Sequence, residues 1–216
     1  MLCNKKGYFY NKECMLVRIH PDNPQPRQLS MVKACLEKGG IIAYPTDTIY
    51  GLGCDIFHPE AIEKICAIKN VSPEKAQLSF ICADLSNMSH YAKAIDNSLY
   101  RIMKKLLPGP YTFILPASKE VPKILQNKKK TIGLRIPNNQ IAIGIIETLG
   151  HPILSASFPG EMVEDYTDPE IIQEHWGHLV DMVIDGGIGG MIPSTVVDCT
   201  TDELTLIRQG LGEWEY

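Results

Sequence analysis

The sequence predicts a single α/β domain built on a mixed sheet. Three observations predict it. From Leu16 onward, strand-like and helix-like segments alternate along the chain. Several neighbouring strand pairs, such as Thr195–Cys199 with Leu204–Ile207, are joined by connections too short to hold a helix and must run antiparallel. No internal repeat and no long linker divides the 216 residues.

Each element has a local reason. Residues 1–14 are polar and unlike the rest, and read as an N-terminal extension ahead of a domain spanning 15–216, with Met15 as a candidate start. Leu16–Ile19 is a short strand, and Pro21–Pro26 a proline-rich loop. Leu29, Val32 and Leu36 fall at helical spacing, and Gly39-Gly40 stops that helix. Ile41–Tyr44 is a buried strand that Pro45 ends by removing a backbone donor. Pro59 opens a helix with Ile62, Ile65 and Cys66 on its apolar stripe, ending near Lys69.

Leu78–Cys82 is the next strand. A helix carrying Leu99, Ile102, Met103 and Leu106 stops at Pro108-Gly109-Pro110. Tyr111–Leu115 and Thr131–Ile136 are strands. Asn138 is positioned to cap a helix with Ile141, Ile145 and Leu149 on one face, closed by Gly150. Pro152–Ser155 is a short strand, and Asp168-Pro169-Glu170 starts a helix with cap, proline and acid in order. Val180–Ile184, Thr195–Cys199 and Leu204–Ile207 complete the strands.

Composition narrows the function. Apolar content of 44% fits a soluble globular protein, and no run approaches the ~20 apolar residues of a membrane span. No apolar core follows the N-terminal lysines, so no signal peptide is read. Seven irregularly spaced cysteines without a CxxC pair point to reduced thiols and a cytoplasmic location. A net charge of -4 gives no global pull toward nucleic acid. The local run Lys128-Lys129-Lys130, with Lys123 nearby, is either a solvated turn or a nucleic-acid contact.

P-loop, GxGxxG and GxSxG motifs are absent, and His175 and His178 do not make a zinc site. Asp185–Gly190 is a glycine-rich loop that either flexes or brings backbone to a phosphate. The run Tyr44–Gly53 packs two hydroxyls, a carboxylate and a phenol just past a buried strand. It is either a polar turn, with Thr46 or Asp47 capping a helix, or a ligand wall. Arg135 lies inside an otherwise apolar strand and needs a partner, either an internal carboxylate or a bound carboxylate or phosphate.

Several motifs in order resemble the YrdC/YciO family across residues 16–215. They are Pro45–Leu52, Ile68-Lys69, Pro108–Thr112, Gly133–Pro137, Leu154–Ser157, Asp185–Gly187, Pro193–Asp198 and Ile207–Gly210. His20–Gln25 and Lys129–Gly133 resemble the YciO branch in particular. The resemblance implies a twisted, open mixed sheet with flanking helices and a central cleft. It also implies threonylcarbamoyl-AMP synthesis, in which L-threonine and bicarbonate form a carbamate that attacks the α-phosphorus of ATP. The product would serve transfer-RNA modification, and Mg2+ would accompany the triphosphate. Thr46, Arg135 and Ser194 would hold threonine, with Arg135 on its carboxylate. Lys69, Thr131, Ser157 and Arg208 would hold the nucleotide. Attack at phosphorus needs positioning and positive charge more than a protein nucleophile, so no catalytic nucleophile and no resident metal or permanent cofactor are assigned. YrdC-like proteins are also associated with double-stranded RNA or transfer RNA, which gives an alternative: a binding module without catalysis.

Two departures stand out. The synthase pattern has Lys-x-Arg where this chain reads Lys69-Asn70-Val71, and Ser-x-Asn where it reads Ser157-Phe158-Pro159. Lys75 is the nearest basic substitute for the missing arginine, though an ammonium lacks the guanidinium fork.

Overall fold

In the computed structural model, residues 14–73, 76, 78–125, 130–160 and 163–216 are described. Along them run β1 (Met15–Arg18), α1 (Pro26–Leu36), β2 (Ile42–Tyr44), β3 (Gly51–Asp55), α2 (Pro59–Ile68), β4 (Ser79–Ile81), α3 (Leu85–Tyr91) and α4 (Asn97–Leu106). There follow β5 (Tyr111–Pro116), β6 (Thr131–Arg135), α5 (Gln140–Leu149), β7 (Ile153–Ser157), α6 (Pro169–Trp176), β8 (Met182–Asp185), β9 (Thr195–Asp198) and β10 (Thr205–Arg208). The strands form one sheet in the order β1-β8-β2-β3-β7-β4-β6-β5-β9-β10. Its pairings are mixed. For example, β4–β6 and β5–β9 are parallel, while β3–β7, β5–β6 and the expected β9–β10 pair are antiparallel. Among the described residues no helix is long and apolar enough to cross a membrane.

Helix boundaries follow their caps. Asp84, Asp96 and Asp168 each accept backbone N–H bonds at the start of α3, α4 and α6. Pro26, Pro59 and Pro169 occupy first-turn positions. Asn70, at φ 53°, turns the chain out of α2 in the left-handed conformation that asparagine tolerates.

Strand register sorts the side chains onto two faces. One face carries Ala43, Leu52, Phe80, Phe113, Leu134, Leu154, Val183 and Val197, all buried in the larger core beside α2, α4 and α6. On the other face, Ile42, Ile81, Ile153, Met182 and Ile184 pack with Leu29, Val32 and Leu36 of α1 and Ile141, Ile145 and Leu149 of α5. Those two helices cover the β1–β4 half. The register Gly53–Ser155–Ser79–Gly133 continues the same face with small side chains. A Cβ on Gly133 would sit 3.1 Å from Ser79 Cβ and 3.3 Å from Thr112 Cγ2, so this floor is tightly drawn.

Several expectations are corrected. The run after Pro45 does not lead into a helix. Gly51–Asp55 is a fully buried strand, β3, that the sequence disguised with two glycines. Glycine fits closely there, since a Cβ at 53 would meet Tyr44 Cε1 at 3.0 Å. Asn139 caps α5, accepting from Ala142 N–H at 3.0 Å, in place of Asn138. The seven-residue α3 has no long periodic stripe to announce it. β7 runs on to Ser157, two residues past the expected end. Residues 1–13 of the expected extension, Lys75, and Lys128-Lys129 lie outside the described residues.

Candidate functional site

Arg135 ends β6 on the small-residue face and is only 7% exposed. Its Nη2 donates to Asp47 Oδ1 at 2.5 Å and to Thr48 Oγ1 at 2.8 Å, with Thr46 Oγ1 at 3.5 Å. The turn that brings these three acceptors is self-bonded. Thr46 Oγ1 donates to the Ile49 carbonyl at 2.7 Å and accepts the Thr48 N–H at 3.0 Å. A threonine hydroxyl folding back on its own turn in this way holds the backbone without a helix behind it.

The glycine-rich loop fastens the same turn. Gly190 N–H donates to the Thr48 carbonyl and Gly189 N–H to the Thr167 carbonyl. Gly187 N–H is taken by Asp185 Oδ1 and Gly186 N–H by the Tyr50 hydroxyl. Four amides are thus satisfied inside the protein, so they do not form a phosphate cradle. The loop's role is to anchor the Thr46–Thr48 wall. Tyr50 also donates to the Gly187 carbonyl at 2.8 Å, and burial pushes its phenol upward, keeping it a neutral donor.

Beside Arg135 stand β5 and β9. Phe113 pairs with Leu134, which brings Thr112 to the Arg135 end of the sheet. Thr112 Oγ1 and Ser194 Oγ are 2.9 Å apart and buried. Arg208 donates from Nε and Nη2 to the Ser194 carbonyl at 3.0 and 2.8 Å, and Nη2 lies 3.3 Å from Ser194 Oγ. Partial burial, and then the positive charge of Arg135, hold the Arg208 guanidinium below its ordinary value. Two arginines close enough to oppose each other's charge mark a place suited to an anion. Tyr44 completes the floor, its hydroxyl 2.7 Å from Ser155 Oγ. Burial pushes that phenol up to about 12.

The expected residues therefore separate into two groups. Thr46, Arg135, Ser194 and Arg208 come together, joined by Asp47, Thr48 and Thr112. Arg208, expected with the nucleotide set, bonds Ser194 of the threonine set. The second group is Lys69 and Ser157. Lys69, next after α2, donates through Nζ to the Ser157 carbonyl at 2.9 Å and to Ser157 Oγ at 3.2 Å. Ser157 pairs with Gly51, which lies just beyond the Thr46–Ile49 turn, while Arg135 sits two strands across at the Ile81–Ile153 level. Thr131 begins β6 opposite Pro116, four residues and about 13 Å along that strand from Arg135. Val71 and Pro159 flank the Lys69–Ser157 pair in sequence, and neither side chain carries a polar group.

Asp47, Thr48 and Thr112 lie within the quoted motifs but receive no ligand-binding role from sequence; Asp47 reads there only as a candidate helix cap. The available signal was the pairing requirement of Arg135, which had to be met by some nearby carboxylate.

Lys69 makes a testable pH dependence. Burial lowers its pKa from the ordinary 10.5. Its charge is therefore lost at a lower pH than that of a free lysine, and any anion it holds is released as pH rises through that depressed value. Nucleotide affinity is expected to fall with rising pH in this window and to stay flat in Lys69→Arg, whose guanidinium does not titrate there. Calorimetric titrations across the alkaline range check this; identical profiles would remove Lys69 from the nucleotide contact.

The family model Sua5_yciO_yrdC, described as "Telomere recombination", matches residues 34–210. The uncharacterized protein YciO of Escherichia coli K12 is 45% identical over 198 residues, covering 90% of this chain and 95% of that protein. The crystal structure of E. coli YciO superposes with a TM-score of 0.86 at 43% identity, covering 93% of this chain and 97% of that one. Threonylcarbamoyl-AMP synthase of Coxiella burnetii (strain RSA 493) is 30% identical over 171 residues, covering 79% of this chain and 91% of the synthase. Pyrococcus abyssi Sua5 complexed with L-threonine superposes with a TM-score of 0.80 at 26% identity, over 91% of this chain and 57% of the longer Sua5 chain. A family model matched over residues 34–210, with a 45% identical relative covering 90% of the chain, means that this chain belongs to the Sua5/YciO/YrdC family.

Proposed function

We propose that this protein binds an adenine nucleotide, carried as its magnesium complex, together with L-threonine, and forms threonylcarbamoyl-AMP more slowly than the full synthases. The observation that carries the reading is Arg135: a guanidinium held on the sheet among Asp47, Thr46 and Thr48, with its charge felt by Arg208, which bonds Ser194. That set suits a small carboxylate bearing a hydroxyl. The threonine complex of Sua5 supports the ligand, and the synthases in the family support the reaction.

In that reaction the threonine nitrogen bonds to the bicarbonate carbon, and water is lost. A carbamate oxygen then attacks the α-phosphorus while the bond to pyrophosphate breaks. Here the protein's part is to hold the carboxylate at Arg135 and the phosphates near Arg208 and Lys69, and to oppose the charge that grows on phosphorus. The product would feed threonylcarbamoyladenosine formation on transfer RNA.

Pyrophosphate release, measured with a full synthase as control, tests the reading. Release that requires both threonine and bicarbonate, at a rate below the control, is the expected result. A rate equal to the control defeats the slow turnover, and absence of nucleotide binding at millimolar ATP defeats the whole reading. Against the RNA-binding alternative, Arg135 is only 7% exposed, so its guanidinium does not lie on an open surface that tracks backbone phosphates.

A further inference from the structure

Arg135 and Asp47 are bonded through one nitrogen and one oxygen only. Nη2 meets Oδ1, while Nε of the same guanidinium and Oδ2 of the same carboxylate are closed off from water with no hydrogen-bonding partner. The two side chains are only 9% and 10% exposed. A charged donor and a charged acceptor left unmade in one buried pair are costly, and the cost ends when a ligand meets both.

A ligand that meets both offers an acceptor to Nε and a donor to Oδ2, which for two charged groups means a carboxylate and a cationic donor. We infer that Asp47 is the specificity-determining residue that selects an α-amino acid over a simple carboxylate, by accepting its ammonium while Arg135 takes its carboxylate. This rests on the proposed threonine binding and adds to it the group that is read.

Charge explains why the selection is strong. Asp47 already neutralises Arg135, so a plain carboxylate brought to Nε faces a second carboxylate on the same guanidinium and is repelled. A zwitterion places its ammonium against Asp47 and turns that repulsion into attraction. Because both atoms are closed off from water, any ligand must move neighbouring side chains aside to reach them. That cost falls on every ligand alike and leaves the ammonium as the discriminating group.

The test uses the full chain and two probes, L-threonine and 3-hydroxybutanoate. The second keeps the carboxylate and the hydroxyl and replaces the ammonium by hydrogen. Calorimetry on the wild type is expected to favour threonine by about tenfold or more, the range of a buried charge-assisted bond. In Asp47→Asn that preference is expected to collapse, with threonine weakened and 3-hydroxybutanoate strengthened. An unchanged preference in Asp47→Asn, or tighter threonine binding there, overturns the inference while leaving threonine binding intact. If Asp47→Asn does not fold, the wild type decides alone: equal affinity for the two probes overturns the inference. Threonine failing to bind the wild type removes the parent reading and this one together.

Discussion

Arg135→Met is expected to destabilise the protein by about 3–5 kcal/mol, the largest stability effect in the site. The reason is what it leaves behind. Asp47 would keep its charge in a buried position with no guanidinium beside it, and Thr46 and Thr48 would lose their shared donor. At roughly 2–4 °C per kcal/mol for a chain of this size, the loss is readable by thermal denaturation. Removing both charges, in Arg135→Met with Asp47→Leu, is expected to recover most of it, since a buried ion pair is often matched by an apolar pair of similar volume. Neither protein should bind threonine. The pair of variants separates fold from function: a stable double variant without threonine affinity supports a ligand role for Arg135. A single variant as stable as the wild type would show that Asp47 finds another partner.

Restoring the synthase pattern, in Val71→Arg with Pro159→Asn, is expected to raise threonine-dependent pyrophosphate release by roughly two to four decades. Each change returns one polar contact to the nucleotide, worth about 1.5–3 kcal/mol when charge-assisted, and both would act on the transition state. Positions 71 and 159 lie two residues beyond Lys69 and Ser157, which are already bonded to each other, so the added groups enter an assembled corner. Val71 is 37% exposed, which gives an arginine room to extend. The measurement is release rate at saturating ATP, threonine and bicarbonate. A rate unchanged from wild type would place the rate limitation elsewhere, with the Asp47–Arg135 pair as the next candidate.

Much of the fold was legible because it is written locally. Proline at the starts of α2 and α6, the aspartate cap at Asp168, and the stop at Pro108–Pro110 act within a few residues. The antiparallel β9–β10 pair followed from a connection too short for anything else. β3 was missed for the opposite reason. Its glycines are poor strand formers read alone, and their reason is the Tyr44 ring packed closely against them from the neighbouring strand.

The site divides the same way. The types of residue were readable in sequence: a buried guanidinium that needs a partner, hydroxyls past a strand end, and the missing arginine and asparagine at Val71 and Pro159. Which groups meet was decided by the tertiary structure. Asp47 reaches Arg135 across 88 positions, and only the sheet order and the Thr46–Thr48 turn bring them together. The glycine loop looked free to receive a phosphate, yet folding commits its amides to Thr48, Thr167, Asp185 and Tyr50. Local sequence determines what each segment can donate or accept. Long-range packing determines which of those capacities are already used, and the unmade bonds of Arg135 and Asp47 are what it leaves for a ligand.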